Sequence, residues 1–418
     1  MNHERLSILY TQPTTGGGST LSLYELVRGL NKSKYKPIVL FYRASPYHEL
    51  FEKCGAKVIV LNERVSPRLL KKRRNNSPKR KWKKTIAIPR NAYDLLFRDA
   101  PLALHVAHLI KHEKVALIHH NLSLGPATRP MVIAAIIAGI PQVSHFRLFT
   151  GLPLTVMKLT PFVDAYIYIS RAIADHYSDQ GLAPEKGRLI YDPHDDEVFA
   201  KVTAEEVKAV RNEFKVSDDD FLISNVGRLD SWKGQDYFIR AMAEVQRVLP
   251  NTKALIVGDC APTPEGERYR RRLHDMVEEH GLSECVFFAN HRDDIPRIMV
   301  ASDVVIHSAS EPEPFGRVIV EAMMAATPVI ATAAGGVLDI VEDRVTGILV
   351  PLKSALGIAE AIKELISEPD RAKEMAQRAQ VSALKRFSVQ QHVTAMEQLY
   401  TDILAKKRPS SAARSRND

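Results

Sequence analysis

The chain has 418 residues, 45% apolar and 26% charged, which is enough for two or three domains' worth of core and excludes a disordered or fibrous protein. Its longest apolar run, 131–140, is about half of what a bilayer requires and is closed by Gly139 and Pro141, so it reads as a buried helix and no span is expected. The net charge of +9 belongs to one segment: 68–84 holds ten basic and no acidic residues, and 9 − 10 leaves −1 for the rest.

In chain order, the first apolar run, 6–10, is too short for a secretion signal, which points to the cytoplasm. Strands are expected at 6–10, 37–42, 57–61, 116–119, 142–146 and 165–169, then at 221–226, 253–257, 286–289, 304–307, 329–331 and 348–350. Their alternation with helical segments is that of two similar, doubly wound parallel α/β sheets of Rossmann-like type. Helices follow at 354–367, 370–386 and 389–405, and the polar, basic tail 406–418 is expected to be disordered. The implied domains are 1–187 and 188–387, followed by the C-terminal helix 388–405. Cys54, Cys260 and Cys285 are odd in number and scattered, which fits reduced core thiols and not a disulfide frame or a zinc cluster.

Within the first domain, 66–90 contains the basic run, with Leu69, Leu70 and Trp82 as apolar anchors and an Asn-Asn-Ser-Pro centre. Such a loop suits an anionic membrane surface, where each Lys or Arg contributes on the order of 1 kcal/mol. Nucleic acid would attract the same charge, but a single Trp offers little stacking surface for bases.

The stretch 310–336, SEPEPFGRVIVEAMMAATPVIATAAGG, is where the chemistry concentrates. Pro312 and Pro314 hold Glu313 in an extended loop, and 316–326 has the apolar spacing of a buried helix that carries Glu321 one to two turns in. The first-turn N–H groups of Gly316, Arg317 and Val318 make a seat for a phosphate, beside which Glu313 lies. Glu321 can accept two hydrogen bonds from vicinal hydroxyls such as a ribose diol. Upstream, 226–234 reads VGRLDSWKG and places Arg228 and Lys233 just after a strand, where ligands of open α/β sheets bind. The Asp-x-Asp at 218–220 precedes that strand and reads as a turn.

In the first half Gly16, Gly17 and Gly18 follow the first strand and precede a helix expected to be capped by Ser19 or Thr20. A dinucleotide fingerprint is not completed: Leu21 takes the third glycine position, and the second strand ends in Phe41, Tyr42 and Arg43 and not in an acidic ribose ligand. His145 and Arg147 end another strand, as His119, His120 and Asn121 end the one before it. No ligand set at metal-binding spacing is evident.

These motifs together resemble the Glu-x7-Glu signature of glycosyltransferase family 4, the retaining enzymes of GT-B architecture, whose two domains face a central cleft. The Gly-Arg-Leu and Lys-Gly pairs of 227–234, Gly335, Gly336 and the VTGILV turn fit the family pattern; Asp339 stands where a glutamate is more usual, and 190–199 lacks the Asn-Gly of the usual linker. The resemblance implies that Glu313 contacts the donor sugar and Glu321 the nucleotide ribose. It makes Arg228 and Lys233 the diphosphate cations, adds Gly17, Gly18, Phe315, Gly316, Arg317 and Val318 to the donor site, and puts His145 near the sugar and diphosphate. It also implies an acceptor-binding first domain and a donor-binding second one, with the C-terminal helix 388–405 expected to cross back to the first domain.

The expected activity is a metal-independent, retaining transfer from a nucleotide-diphosphate sugar, without a cofactor, to a lipid-linked or surface-glycan acceptor at the inner face of a membrane. Two other readings stand beside it: a membrane- or nucleic-acid-binding protein on a degenerate scaffold, and a GT-B sugar-nucleotide epimerase.

Overall fold

A computed structural model describes residues 5–14, 16–61 and 94–407. The basic run 68–84, with Leu69, Leu70 and Trp82, lies outside them, as does 408–418. The chain divides into two compact units. The first holds the residues up to Ile169, Ile173–Tyr191 and everything from His392 onward; the second holds Ser170–Ala172 and Asp192–Gln391.

The first unit is built on seven parallel strands: β1 (Leu6–Gln12), β2 (Tyr35–Phe41), β3 (Lys57–Val60), β4 (Val115–His120), β5 (Gln142–Phe146), β6 (Ala165–Tyr168) and β7 (Gly187–Leu189). Their order is β3-β2-β1-β4-β5-β6-β7. The central strands read as continuous apolar runs because both faces are covered: Ile8, Leu9, Tyr10, Leu117 and Ile118 have no exposed surface. Strand β7 was not expected. Its three residues are half-buried or exposed and carry no apolar run to announce a strand. The helix Arg129–Ala138 ends at Gly139, whose φ of 69° is the left-handed cap that glycine adopts at no steric cost.

The second unit has six parallel strands: β8 (Phe221–Val226), β9 (Thr252–Val257), β10 (Val286–Asn290), β11 (Val304–His307), β12 (Val329–Thr332) and β13 (Ile348–Val350), in the order β10-β9-β8-β11-β12-β13. Its core packs Ile223, Phe238, Met242, Ile256, Ile306 and Ile330 into one cluster. In both sheets the winding reverses beside the first strand, between β1 and β4 and between β8 and β11. Such switch points open crevices at the carboxyl ends of the strands, which is where ligands of this architecture sit.

The last helix runs unbroken over Val389–Lys407, two residues past the expected boundary, and its larger part belongs to the first unit. Glu397 accepts the Asn31 amide at 2.8 Å, and the Tyr400 hydroxyl meets His119 Nδ1 at 2.7 Å. The thiols are all free, but only Cys285 is buried; Cys54, which closes the helix His48–Lys53, and Cys260, in the loop after β9, are half-buried, so the expectation of three core cysteines holds for one. The Asp-x-Asp at 218–220 is a turn, in which Asp220 accepts from the Ser217 amide at 2.8 Å. No described helix is long and apolar enough to cross a membrane.

Candidate functional site

Three loops converge at the switch point of the second sheet. After β8 the chain forms the short turn Ser231–Lys233; after β11 it runs through Ser308–Gly316; after β12 it turns at Gly335 and Gly336. The first two are joined backbone to backbone: the Ser310 amide donates to the Trp232 carbonyl at 2.8 Å, and the Ser308 hydroxyl donates to the Lys233 carbonyl at 3.1 Å. Gly234 permits this approach, because a Cβ there would stand 2.0 Å from the Ser308 carbonyl oxygen, and its φ of 70° is left-handed. The third loop is held in the same way, with the Gly336 amide donating to the Glu313 carbonyl at 2.7 Å and a Cβ on Gly335 falling 2.3 Å from that oxygen.

This lacing sets Lys233 Nζ 2.6 Å from Glu313 Oε2. His307, the last residue of β11, brings its Nε2 to 3.3 Å of the same oxygen. Glu313 is buried, which by itself would raise its pKa. The hydrogen bond from His307 and the charge of Lys233 outweigh that and hold the carboxyl at about 2. Glu313 is therefore ionised at neutral pH, where it accepts hydrogen bonds and has no proton to give. Lys233 spends one of its three N–H donors on Glu313 and lies 4.2 Å from the centre of the Trp232 ring, a cation–π contact.

The helix that follows spans Arg317–Met324, shorter at both ends than the 316–326 expected. Gly316 caps it at φ 114°, and Ala326 has a positive φ of 55° that ends helical hydrogen bonding. The first intrahelical bonds come from Ile319 and Val320, so the Arg317 and Val318 amides precede them at the positive end of the helix. Glu321 lies in the second turn, half-buried, with Arg317 donating to its Oε1 at 3.4 Å. Phe315 is buried between His194 and Phe387, so its ring is a packing element and not a wall open to a ligand. Arg228 is exposed and pairs with Asp230 at 3.1 Å. Lys233 and Glu313 are thus in direct contact, whereas the Arg228 guanidinium turns to its own loop. Ser170, which groups with this unit, donates to the Pro314 carbonyl at 2.7 Å, and the neighbouring Arg171 donates to Asp339 through its amide at 2.6 Å.

In the first unit the switch point carries polar side chains that bond one another. Asn121 donates to Gln12 Oε1 at 2.6 Å and to the Ser19 carbonyl at 2.9 Å, and Arg147 donates to Asn121 Oδ1 at 3.3 Å and to His145 Nδ1 at 3.1 Å. Guanidinium only donates, so Nδ1 is the lone-pair nitrogen of His145 and the ring proton sits on Nε2. Burial first, then the nearby Arg147, pushes the His145 pKa well below the ordinary imidazole value, and the ring stays neutral. It stacks on His119 and His392. His120 is a structural residue: Gln142, oriented by donating to the Val132 and Phe162 carbonyls, accepts from its Nε2 at 2.8 Å.

The glycine loop corrects one expectation. The cap of the helix Gly18–Gly29 is Gly17, with φ 88°, and neither Ser19 nor Thr20 caps it. Thr20 lies inside the helix and its hydroxyl accepts from Gln12 at 2.9 Å. Gly17 and Gly18 are exposed at the mouth of this switch point.

Reading motifs alone passed over His307 and His194. The available signal for His307 was its place at the carboxyl end of a strand beside the switch point.

Two doubly wound parallel sheets, each with its polar residues gathered at a switch point, define a GT-B architecture. Residues 206–382 match the family described as Glycosyl transferases group 1, and residues 16–198 match Glycosyltransferase Family 4. The chain belongs to the group 1, family 4 glycosyltransferases. It is 28% identical to the D-inositol 3-phosphate glycosyltransferase of Corynebacterium aurimucosum over 59% of its own length and 57% of that protein's. It is 22% identical to the N-acetyl-alpha-D-glucosaminyl L-malate synthase of Bacillus anthracis over 73% of its length and 80% of that protein's. The solved structure of Anabaena HepE in complex with UDP superposes with a TM-score of 0.79 at 26% identity, over 95% of this chain and 100% of that one. HepE has also been solved with UDP-glucose.

Proposed function

We propose that the protein transfers a sugar from a nucleotide-diphosphate sugar to an acceptor, with anomeric configuration retained. The observation that carries this reading is the contact of Lys233 with Glu313 at the second switch point, eight residues before Glu321. Charge builds up on the departing diphosphate, and fixed cations aimed at it lower the barrier. Lys233 keeps two N–H donors beyond the one given to Glu313, and Arg228 and the Arg317 and Val318 amides lie on the loops around it. Glu313, ionised at neutral pH, accepts from hydroxyls of the donor sugar, and Glu321 from the ribose. The bond from the anomeric carbon to the leaving phosphate oxygen breaks, the bond to the acceptor oxygen forms on the same face, and the acceptor's proton passes to the released phosphate. Within the first unit, His145 and the glycines 17 and 18 are assigned a ligand-binding part at that unit's own switch point. With the charge provided by side chains, chelator is expected to leave turnover unchanged.

The likeness to HepE, solved with UDP and UDP-glucose, supports a uridine donor among the candidates. Thermal-shift titration with UDP, GDP and ADP tests the class: a ligand at a hundred times its Kd raises stability by about 2.7 kcal/mol, and no shift with any of them overturns the reading. Retention is checked by the anomeric coupling in the product; an inverted anomer refutes it.

The acceptor we assign to a lipid-linked or surface-glycan precursor at an anionic membrane. The basic run 68–84 supports it, as do Leu96, Phe97 and Leu154, which are 57%, 61% and 80% exposed. Their segments are tied together by Arg129, which donates to Asp99 and Thr155. Co-sedimentation of the full chain with phosphatidylglycerol vesicles, abolished by the double change of Leu96 and Phe97 to serine, is the expected outcome; equal sedimentation of both proteins overturns it.

A further inference from the structure

Beside Glu321 lies a group that neither the Glu-x7-Glu pattern nor the phosphate chemistry requires. His194 is 1% exposed, and its Nε2 stands 4.0 Å from Glu321 Oε1. The loop that carries it is fixed on two sides: its amide donates to the Phe387 carbonyl at 2.9 Å, and the preceding Pro193 carbonyl accepts from Arg317 at 3.2 Å. Its Nδ1 is 3.2 Å from the Asp192 carbonyl. A carbonyl only accepts, so Nδ1 carries the ring's first proton, and a second proton would sit on Nε2, on the side of Glu321.

We infer that His194 is a positioning residue for Glu321, holding one carboxylate oxygen so that the other is presented to the vicinal diol of the donor's ribose. Arg317 reaches Oε1 at 3.4 Å, the same oxygen that His194 backs, and no described residue donates to Oε2. Both groups therefore load the carboxylate on one side. With Nε2 bare, a lone pair faces the carboxylate and gives no attraction; with Nε2 protonated, the imidazolium pins it. The other charged groups on the packed elements include Arg317 on the helix, Asp192, Asp195 and Asp196 in the loop, and Arg386, which lies over the Phe387 ring and donates to the Asp339 and Ile340 carbonyls. The carboxylate that His194 Nε2 faces is that of Glu321, so a change of charge on the imidazole acts first on that side chain.

This rests on the proposed role of Glu321 and is tested so that the two fail separately. The probes are UDP and 2′,3′-dideoxyuridine diphosphate, or the GDP or ADP pair if one of those stabilises the protein more, with Kd measured by calorimetry from pH 6 to 8. The wild type is expected to prefer the ribonucleotide more strongly at pH 6 than at pH 8, by about fivefold if the imidazolium acts on the carboxylate as a charge at ion-pair distance, on the order of 1 kcal/mol. His194→Val and His194→Gln are expected to flatten that pH dependence; the glutamine, which restores an N–H donor, keeps the preference and the valine loses it. A pH profile that survives in both variants overturns the inference. Glu321→Ala is the separate control: if it leaves the preference for the diol intact, the ribose assignment itself fails, and if it abolishes the preference while His194→Val does not, only the positioning role fails. Absence of binding by all three nucleotides overturns both.

Discussion

Lys233 and Glu313 lie eighty residues apart in sequence and 2.6 Å apart in space, on the loops that follow adjacent strands. The pair joins a cation suited to a diphosphate with an anion suited to sugar hydroxyls. Removing the cation leaves Glu313 buried without its counter-charge and the leaving group without a donor. Lys233→Ala is expected to lower kcat/KM by about 10²- to 10³-fold, the cost of one well-placed donor to developing charge, measured by steady-state transfer kinetics.

The same pair sets an acid dependence of stability. Glu313 titrates at about 2 in the folded chain against an ordinary value of 4.5. Its contribution is fully present above about pH 4.5 and is lost as pH falls through 2. A shift of this size corresponds to a contribution on the order of 3 kcal/mol. Between pH 5 and 2 the wild type is expected to lose that much more stability than Glu313→Gln, as read by denaturant unfolding. Parallel profiles for the two proteins would contradict the assignment.

Glu321 and Glu313 are expected to divide binding from turnover. Glu321→Ala raises the Kd for nucleoside diphosphate by about 10- to 100-fold, as the loss of hydrogen bonds to a charged group does. Glu313→Gln lowers kcat with the fold intact. Calorimetry and initial rates separate the two, and unaltered kinetics in both variants would remove this pocket from the reaction.

Glycines hold the site's shape. At Gly335 a Cβ would meet the Glu313 carbonyl oxygen at 2.3 Å, and φ is 66°, so Gly335→Ala must displace the loop that carries the carboxylate. A misplacement of about 1 Å costs on the order of 10²-fold in rate. The expected result is a fall in kcat without global unfolding, seen by comparing kinetics with circular dichroism; wild-type kcat would show that the loop tolerates the shift.

Away from the site, Asp99 and Arg129 form a buried ion pair in the first unit, with Asp99 fully enclosed. Asp99→Ala strands the Arg129 charge and is expected to destabilise the protein by about 3–5 kcal/mol, read from chemical denaturation.

Much of the fold is legible in the residues. The central strands betray themselves as unbroken apolar runs, since helices cover both faces of a parallel sheet and no polar alternation is needed. Strand β7 escapes because Arg188 and Leu189 are exposed at the sheet's edge. The helix cap at Gly17 misled because serine and threonine are the usual caps, yet Gln12, from β1, claims the Thr20 hydroxyl. Phe315 belongs to the recognisable motif, but its ring packs inward against His194 and Phe387, partners distant in sequence.

By itself the sequence determined the two-sheet architecture and the residue types of the site, because periodicity, glycine and proline positions and the Glu-x7-Glu spacing are local properties of the chain. Only the tertiary structure decided which of those residues meet. Lys233 finds Glu313, Arg228 turns to Asp230, and His307 and His194 join the two glutamates, since hydrogen bonds between loops from non-consecutive strands, and glycines without a Cβ to hold them apart, set those distances.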